Sequence, residues 1–219
     1  MSLQQILAAS AYPTDKSQGY LDNYEEFFGS LRDQDVRLLE LGINYGGSLQ
    51  MWRDYFPKGV CAGLDLTPVT VDDPTGRVRV YQGMQQDTAL LDRIAREVAP
   101  DGFDIIIDDC SHVGYLTAIT LGHLFDKHLK PGGIYCIEDW GCGYWDSWSD
   151  GKAYQKPVYD MQQHRFISHD YGMVGFIKTL VDECGIEDAT KAGRGTPPPT
   201  RSSIKKLQIS GGQVFLVKA

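Results

Sequence analysis

Short apolar runs alternate along the chain with stretches whose apolar positions recur at helical spacing. Residues 37–41 (RLLEL), 60–65 (VCAGLD), 77–81 (RVRVY), 103–108 (FDIIID) and 134–138 (IYCIE) read as five strands. The fourth is apolar enough to be central and buried on both faces. Helical patterns fall at 21–31, 48–55, 87–98, 113–129 and 172–184, the third carrying Leu90, Leu91, Ile94 and Val98 on one stripe. Pro131-Gly132-Gly133 ends the fourth helix. The Pro/Asp/Gly connection between the second and third strands is too short for a full crossover helix. Two further runs, 203–209 and 213–218, flank Ser210-Gly211-Gly212 as an antiparallel hairpin. Residues 191–203 (KAGRGTPPPTRSS) read as a surface loop. The pattern predicts an α/β fold: a Rossmann-like doubly wound sheet with an antiparallel C-terminal hairpin.

Composition narrows the class. The chain has 219 residues, 42% hydrophobic, room for one domain with a substantial core. Asp and Glu number 29 against 21 Lys and Arg, a formal net charge of −8, so nucleic acid is not an expected partner. No run reaches the roughly 20 apolar residues of a membrane span, and the N-terminus lacks the basic start of a secretory signal. Five scattered cysteines without a C-x-x-C pair give zinc no spacing support and suit free thiols in a reducing cytoplasm.

Candidate chemistry sits where strands meet helices. Glu40-Leu41-Gly42-Ile43-Asn44-Tyr45-Gly46-Gly47-Ser48 is a glycine loop between a strand and a helix, where a ligand can approach backbone N–H groups. It is not G-x-G-x-x-G, which disfavours a nicotinamide dehydrogenase. Asp65, at the end of the second strand, is placed to accept ribose hydroxyls. Glu40 suits a ligand with a cationic group, and S-adenosylmethionine carries an ammonium and a sulfonium. Asp108-Asp109-Cys110-Ser111-His112 and Glu138-Asp139 follow the fourth and fifth strands. Carboxylates from adjacent strand ends can converge on one cation, and Asp109, Glu138 and Asp139 offer the hard oxygens that suit Mg²⁺. Asp108 reads either as a structural acid or as one beside the cofactor. His112 is a candidate general base for a substrate hydroxyl. His164 and His169 read as surface or substrate-rim residues, His123 and His128 as helix-face residues, and Tyr144, Trp145, Trp148 and Tyr154 as an aromatic substrate lid.

These segments together resemble a known family: the metal-dependent, S-adenosylmethionine-dependent O-methyltransferases of macrolide biosynthesis, of the mycinamicin and demethylmacrocin sugar O-methyltransferase type. Thr14-Asp15-Lys16 is similar to its T-D-K signature. Glu40-Leu41-Gly42 with Gly46-Gly47-Ser48-Leu49-Gln50-Met51-Trp52 resembles its E-x-G…G-G-S-L-x-M-W loop. Phe56-Pro57-Lys58-Gly59, Gly63-Leu64-Asp65, Ile107-Asp108-Asp109-Cys110-Ser111-His112, Pro131 to Asp139 and Tyr144-Trp145 continue the match. The resemblance implies a class I methyltransferase fold, Mg²⁺ on Asp109, Glu138 and Asp139, and His112 as base. It places Thr14, Lys16, Gly42, Ser48, Asp65, Gln85 and Gln86 around the cofactor, beside Glu40, Gly46 and Asp108. Cys110 stands where the family has Gly, and Gly83-Met84-Gln85-Gln86-Asp87 lacks one acid of its G-D-Q-S-D stretch. The antibiotic relatives carry an extra N-terminal domain; here a single methyltransferase domain is expected over 1–219, with a helical lead-in (1–35) and a substrate loop (140–171).

The expected activity is Mg²⁺-dependent methyl transfer from S-adenosylmethionine to a hydroxyl of a natural product, a sugar or polyol-like acceptor. Alternatives are a phenol, lipid or polyketide acceptor, a metal-dependent hydroxylase, which would want two histidines and one carboxylate, and a non-catalytic cofactor-binding subunit. A homo-oligomer, dimer or tetramer, is compatible with the sequence, and a cytoplasmic location is expected.

Overall fold

All five predicted strands form. In the computed structural model, which describes residues 1–157, 159–194 and 198–219, they are β1 (Arg37–Leu41), β2 (Val60–Asp65), β3 (Val78–Gln82), β4 (Phe103–Asp108) and β5 (Leu129–Glu138), all parallel. A separate two-stranded ribbon follows, β6 (Tyr159–Asp160) with β7 (Arg165–Phe166). The predicted hairpin, β8 (Ile204–Ile209) and β9 (Gln213–Lys218), closes the sheet antiparallel, giving the order β3-β2-β1-β4-β5-β9-β8. The order reverses between β1 and β4, the switch point at which such sheets bind ligands. Part of the loop expected at 191–203, residues 195–197, lies outside the described residues.

The helices are α1 (Leu3–Ala9), α2 (Gln18–Phe28), α3 (Gly47–Tyr55), α4 (Thr88–Val98), α5 (Gly114–Lys127), α6 (Ser149–Ala153) and α7 (Gly172–Ala189). The expected boundaries shift in several places, and the helix expected over 21–31 spans Gln18–Phe28. The helix predicted to reach 129 stops at Lys127, and Pro131 belongs to the start of β5, where the β4–β5 register is irregular. Helix α7 runs on to Ala189 rather than 184. Helix α1 falls within the residues expected as a helical lead-in, and its Ser2/Gln5 capping box satisfies N–H groups at its start.

Alternation along each strand sorts side chains into two cores. Leu39, Leu41, Ile106, Tyr135 and Ile137 pack with α4, α5 and α7 residues such as Leu91, Ile94, Leu124, Phe125 and Ile177. Leu38, Ile105, Ile107, Ile134 and Cys136 pack with Tyr24, Phe28, Trp52 and Phe56 of the opposite layer. The same parity sends the strand-end acids to defined faces. Glu40 and Glu138 follow the second set, and Asp108 follows the first.

The N-terminal segment is tacked across α3. The Tyr12 hydroxyl accepts from Arg53 (2.9 Å) and donates to Asp54. Pro13 lies so close to Gly47 that a Cβ there would meet its carbonyl oxygen at 2.4 Å. This pinning delivers Lys16, from a loop, to the ends of β1, β4 and β5. No helix among the described residues is long and apolar enough to cross a membrane.

Candidate active site

The strand ends open into a cavity of about 710 Å³ lined by Asp15, Lys16, Gly42, Asn44, Asp65 and Asp109. Its lining also includes Cys110, His112, Glu138, Asp139 and Trp148. A second cavity of about 300 Å³ adjoins it along Thr14, Lys16, Gly42 and Ser48. Gly42 is required where it stands. At φ +81° a side chain would be strained, and its Cβ would fall 2.0 Å from the Asp109 carbonyl oxygen. The glycine loop and the Asp109 loop therefore touch backbone to backbone, and Asp109 N donates to Leu41 O at 2.9 Å.

The residue at the centre is Lys16. Its buried ammonium donates to Glu138 Oε1 (2.6 Å) and Asp109 Oδ2 (3.1 Å) and faces Glu40 Oε1 at 3.2 Å. Burial opposes its charge, but Glu138, Asp109 and Glu40 together raise its pKa well above that of an ordinary lysine. The carboxyls answer differently. Burial pushes Glu138 up to about 7 and Asp109 up to about 6, against the opposing pull of Lys16. Glu40, on the same face, accepts from the Ser48 hydroxyl at 2.6 Å. The cation facing Glu40 is thus the chain's own lysine.

His112 and Asp139 sit in the left-handed region, each at φ 53°, as does Asn44 at 46°. Among the described residues, three of the four non-glycine positions with positive φ therefore line this cavity, a concentration of backbone strain typical of functional sites. His112 Nε2 lies 3.9 Å from both Asp109 Oδ1 and Asp139 Oδ2, and its ring meets the edge of Trp148 at 5.3 Å. One ligand atom each from Asp109, His112 and Asp139 falls within 4.8 Å of the others. Glu138 stands beside this set, held by Lys16 and by the Tyr24 hydroxyl, which donates to Oε1. The donors fit a divalent cation. Glu40, Asp109 and Glu138 share one ammonium with Asp139 lining the same cavity, and a hard dication would relieve the remaining repulsion.

Asp65 lies where expected, but its lone pairs are in use. Oδ2 accepts from the Ile43 and Asn44 amides (3.0 Å each), and Oδ1 accepts from the amide and hydroxyl of Thr67 (2.9 Å each). Burial opposes its charge, but these bonds hold its pKa below the usual carboxylate value. Gly46 caps α3 without lining either cavity. Asp108 faces the opposite layer, accepting from Tyr135 (3.0 Å) and Gln85 (3.4 Å). Gln85 in turn accepts from the Ser111 amide at 3.2 Å, tying down the loop that carries His112. Gln86 directs its amide at Met84 Sδ, off the cavity. Burial, with Asp108 and Asp65, pushes the Cys110 thiol up to about 12, so it presents a neutral SH.

The expectation for His169 is overturned. It is fully buried, with Nε2 3.2 Å from Gly143 O and its ring stacked on Tyr154 at 4.1 Å. His164 is exposed, as expected. The aromatic segment divides: Trp148 lines the cavity, while Tyr144 and Tyr154 pack on His169. The sequence reading missed Tyr20 and Tyr24, whose hydroxyls donate to Asp139 and Glu138. Their i, i+4 spacing behind the Ser17 N-cap was the available signal. It also missed Asp150, whose Oδ2 accepts from Gly114 N (2.8 Å) and Met173 N (2.6 Å), joining the starts of α5 and α7.

The strand order, with its antiparallel closing strands and its cavity at the switch point, defines a class I methyltransferase fold. The solved mycinamicin-pathway methyltransferase MycE, in complex with Mg and S-adenosylhomocysteine, superposes with a TM-score of 0.76 at 31% identity, over 100% of this chain and 54% of that one. The mycinamicin VI 2''-O-methyltransferase of Micromonospora griseorubida is 34% identical over 91% of this chain and 48% of its own length. The demethylmacrocin O-methyltransferase of Streptomyces fradiae is 34% identical over the same shares. The chain is similar to these macrolide sugar O-methyltransferases over about nine-tenths of its own length and spans about half the length of the curated relatives it matches. No protein-family model matches it.

Proposed function

We propose that the protein transfers a methyl group from S-adenosylmethionine to a hydroxyl of a natural product, a sugar or polyol-like acceptor, with Mg²⁺ or a similar dication. The observation that carries this reading is the charge of the cavity. Asp15, Asp65, Asp109, Glu138 and Asp139 line it against the single ammonium of Lys16. A pyrophosphate cofactor would meet repulsion there, whereas a sulfonium, an amino group and a metal ion would each be attracted. Its size suits a small-molecule site. The related enzymes methylate sugar hydroxyls by their names, and MycE has been solved with mycinamicin VI.

Asp109, Glu138 and Asp139 would hold the cation, with Tyr20 and Tyr24 orienting two of them. When bound, a divalent ion supplies Lewis acidity that lowers the pKa of a hydroxyl beside it. His112 faces that volume and would take the acceptor's proton on Nε2. Thr14, Gly42 and Ser48 would border the methyl donor, with Lys16 setting the charge between donor and metal sites. A ribose hydroxyl would reach Asp65 by replacing the exposed Thr67 hydroxyl. Trp148 would screen the acceptor from water, which makes 140–171 the substrate side of a domain built over 1–219. A second copy would cover the apolar residues exposed beside the edge strand β8, Val181 and Ile209, as expected for a homo-oligomer; light scattering tests this.

Mass spectrometry after incubation with S-adenosylmethionine, Mg²⁺ and a panel of glycosylated polyketides, phenols and polyols tests the activity. One added methyl on a sugar hydroxyl is expected, abolished by EDTA. His112→Ala should lower turnover about 10²–10⁴-fold while calorimetric binding of S-adenosylhomocysteine persists. Binding of NAD in its place would overturn the reading.

A further inference from the structure

A second convergence of ligand-type side chains lies away from the cleft, on the seam between α4 and α5. Asp92 projects from α4, His123 from the last turns of α5, and His128 is the C-cap that turns α5 into β5. Both imidazoles aim Nε2 at one oxygen, Asp92 Oδ1, His123 from 2.7 Å and His128 from 2.6 Å. The two rings lie 5.5 Å apart. One ligand atom of each of the three residues falls within 4.8 Å of the others. The side chains are 9%, 20% and 35% exposed for His123, His128 and Asp92, so the cluster is held in place yet open to solvent.

We propose that Asp92, His123 and His128 form a second metal site, selective for a borderline transition ion such as Zn²⁺. Two imidazoles and one carboxylate are a donor set that Zn²⁺ takes with water in its fourth position, and nitrogen donors separate it from the oxygen-rich cleft that suits Mg²⁺. Binding asks each Nε2 to part from Asp92 Oδ1, from 2.7 and 2.6 Å to the roughly 3.3 Å between ligands on a tetrahedral ion. A tautomer placing each ring's proton on Nδ1 presents the Nε2 lone pairs to the ion. The same donor types serve non-haem iron oxygenases, but no cavity described in this molecule is lined by these residues. The site is therefore a staple. It joins α4 to the α5–β5 corner, where the His128 carbonyl also accepts from Phe103 N at the start of β4 (2.7 Å).

The test is calorimetric titration of the tag-free chain with Zn²⁺ in excess Mg²⁺. It uses a Cys184→Ser background, because Cys184 is the exposed thiol of the five. One equivalent of Zn²⁺ is expected, together with a rise in thermal midpoint. The paired change His123→Gln/His128→Gln should weaken binding more than about tenfold, the scale set by loss of a single supporting partner. Asp92→Asn, which keeps a carbonyl oxygen for both rings and so preserves the fold, should weaken it similarly. Asp109→Asn should leave it intact. No Zn²⁺ uptake by the parent chain, uptake unchanged in Asp92→Asn, or uptake lost in Asp109→Asn would each overturn the proposal.

Discussion

At the ends of β1, β4 and β5, three carboxylates close around one buried ammonium, whereas on the α4–α5 seam one partly exposed carboxylate accepts from two imidazoles. Residue types overlap but the charge balance differs. In the cleft, burial drives Glu138 and Asp109 up into the neutral range because Lys16 cannot offset them all. On the seam, hydrogen bonds from His128 and His123 hold Asp92 below its ordinary value. The cleft is thus short of positive charge, and folding alone leaves it so. The seam is satisfied as it stands, and an added ion there would only reinforce packing. A cluster left unbalanced by the fold is the better candidate for chemistry.

The largest effect expected from breaking this contrast is on catalysis. Asp109→Asn and Glu138→Gln each remove a charge that the cation would neutralise. Each should lower Mg²⁺-dependent methyl transfer by ~10³-fold, since a metal contributes several kcal/mol to such steps. Asp92→Asn should leave the rate unchanged. Rates measured under saturating Mg²⁺ check both arms, and equal losses in the two clusters would erase the distinction.

Lys16→Met comes next. The ammonium is buried among three carboxylates, and removing one partner of a buried ion cluster costs about 3–5 kcal/mol. Denaturant unfolding in EDTA should show that loss, and Mg²⁺ should restore part of it by supplying the missing positive charge. A variant as stable as the parent in EDTA would mean that the carboxyls are already protonated and neutral.

Much of this contrast was legible in the sequence, though not its centre. The strand-end acids announced themselves because each follows an apolar run whose alternation dictates where the next side chain points. For Asp109, Glu138 and Asp139 that reading needed only local pattern. Lys16 could not be placed in the cluster that way. It sits in a loop, and its partners Asp109 and Glu138 lie 93 and 122 residues further along the chain. Only the packing of Tyr12 and Pro13 onto α3 brings it there. Asp108 carried motif-like neighbours yet turned to the other face, because strand parity outranks adjacency in sequence, and Gln85 meets it there from the turn before α4. His169 read as a rim residue in a polar loop, but Tyr144 and Tyr154 enclose it. His123 and His128 read as helix-face residues, since nothing in α5 itself reveals that Asp92 of another helix lies opposite them.

The pH dependence of stability should carry opposite signs in the two clusters. Glu138, Asp109 and Asp108 titrate near 7, 6 and 6 in the folded chain, against ordinary values of 4.5, 3.8 and 3.8. Through that window the folded state keeps protons that the unfolded chain has lost, so stability falls as pH rises from about 4 to about 7 and then levels. Thermal midpoints of metal-free protein should follow that slope, and Mg²⁺ or Glu138→Gln should flatten it. A midpoint that rises with pH across the window would contradict the buried, charge-starved cluster.

The smallest effect belongs to the seam and lies at the other end of the pH scale. Asp92's lowered pKa means that its contribution is present above its ordinary value and is lost as pH falls through the folded one. The carboxylate is partly exposed, so solvent screens the contribution and the shift in midpoint should be slight. Its position on the pH axis is what matters. In metal-free protein, Asp92→Asn should soften the acid limb below about pH 4, the ordinary aspartate value, and leave the slope between about 4 and about 7 untouched. Glu138→Gln should do the reverse. Melting both variants across that range reads the two clusters separately in one experiment. If Asp92→Asn altered the upper slope, the seam would be coupled to the cleft through α5, and the two clusters would have to be treated as one electrostatic system.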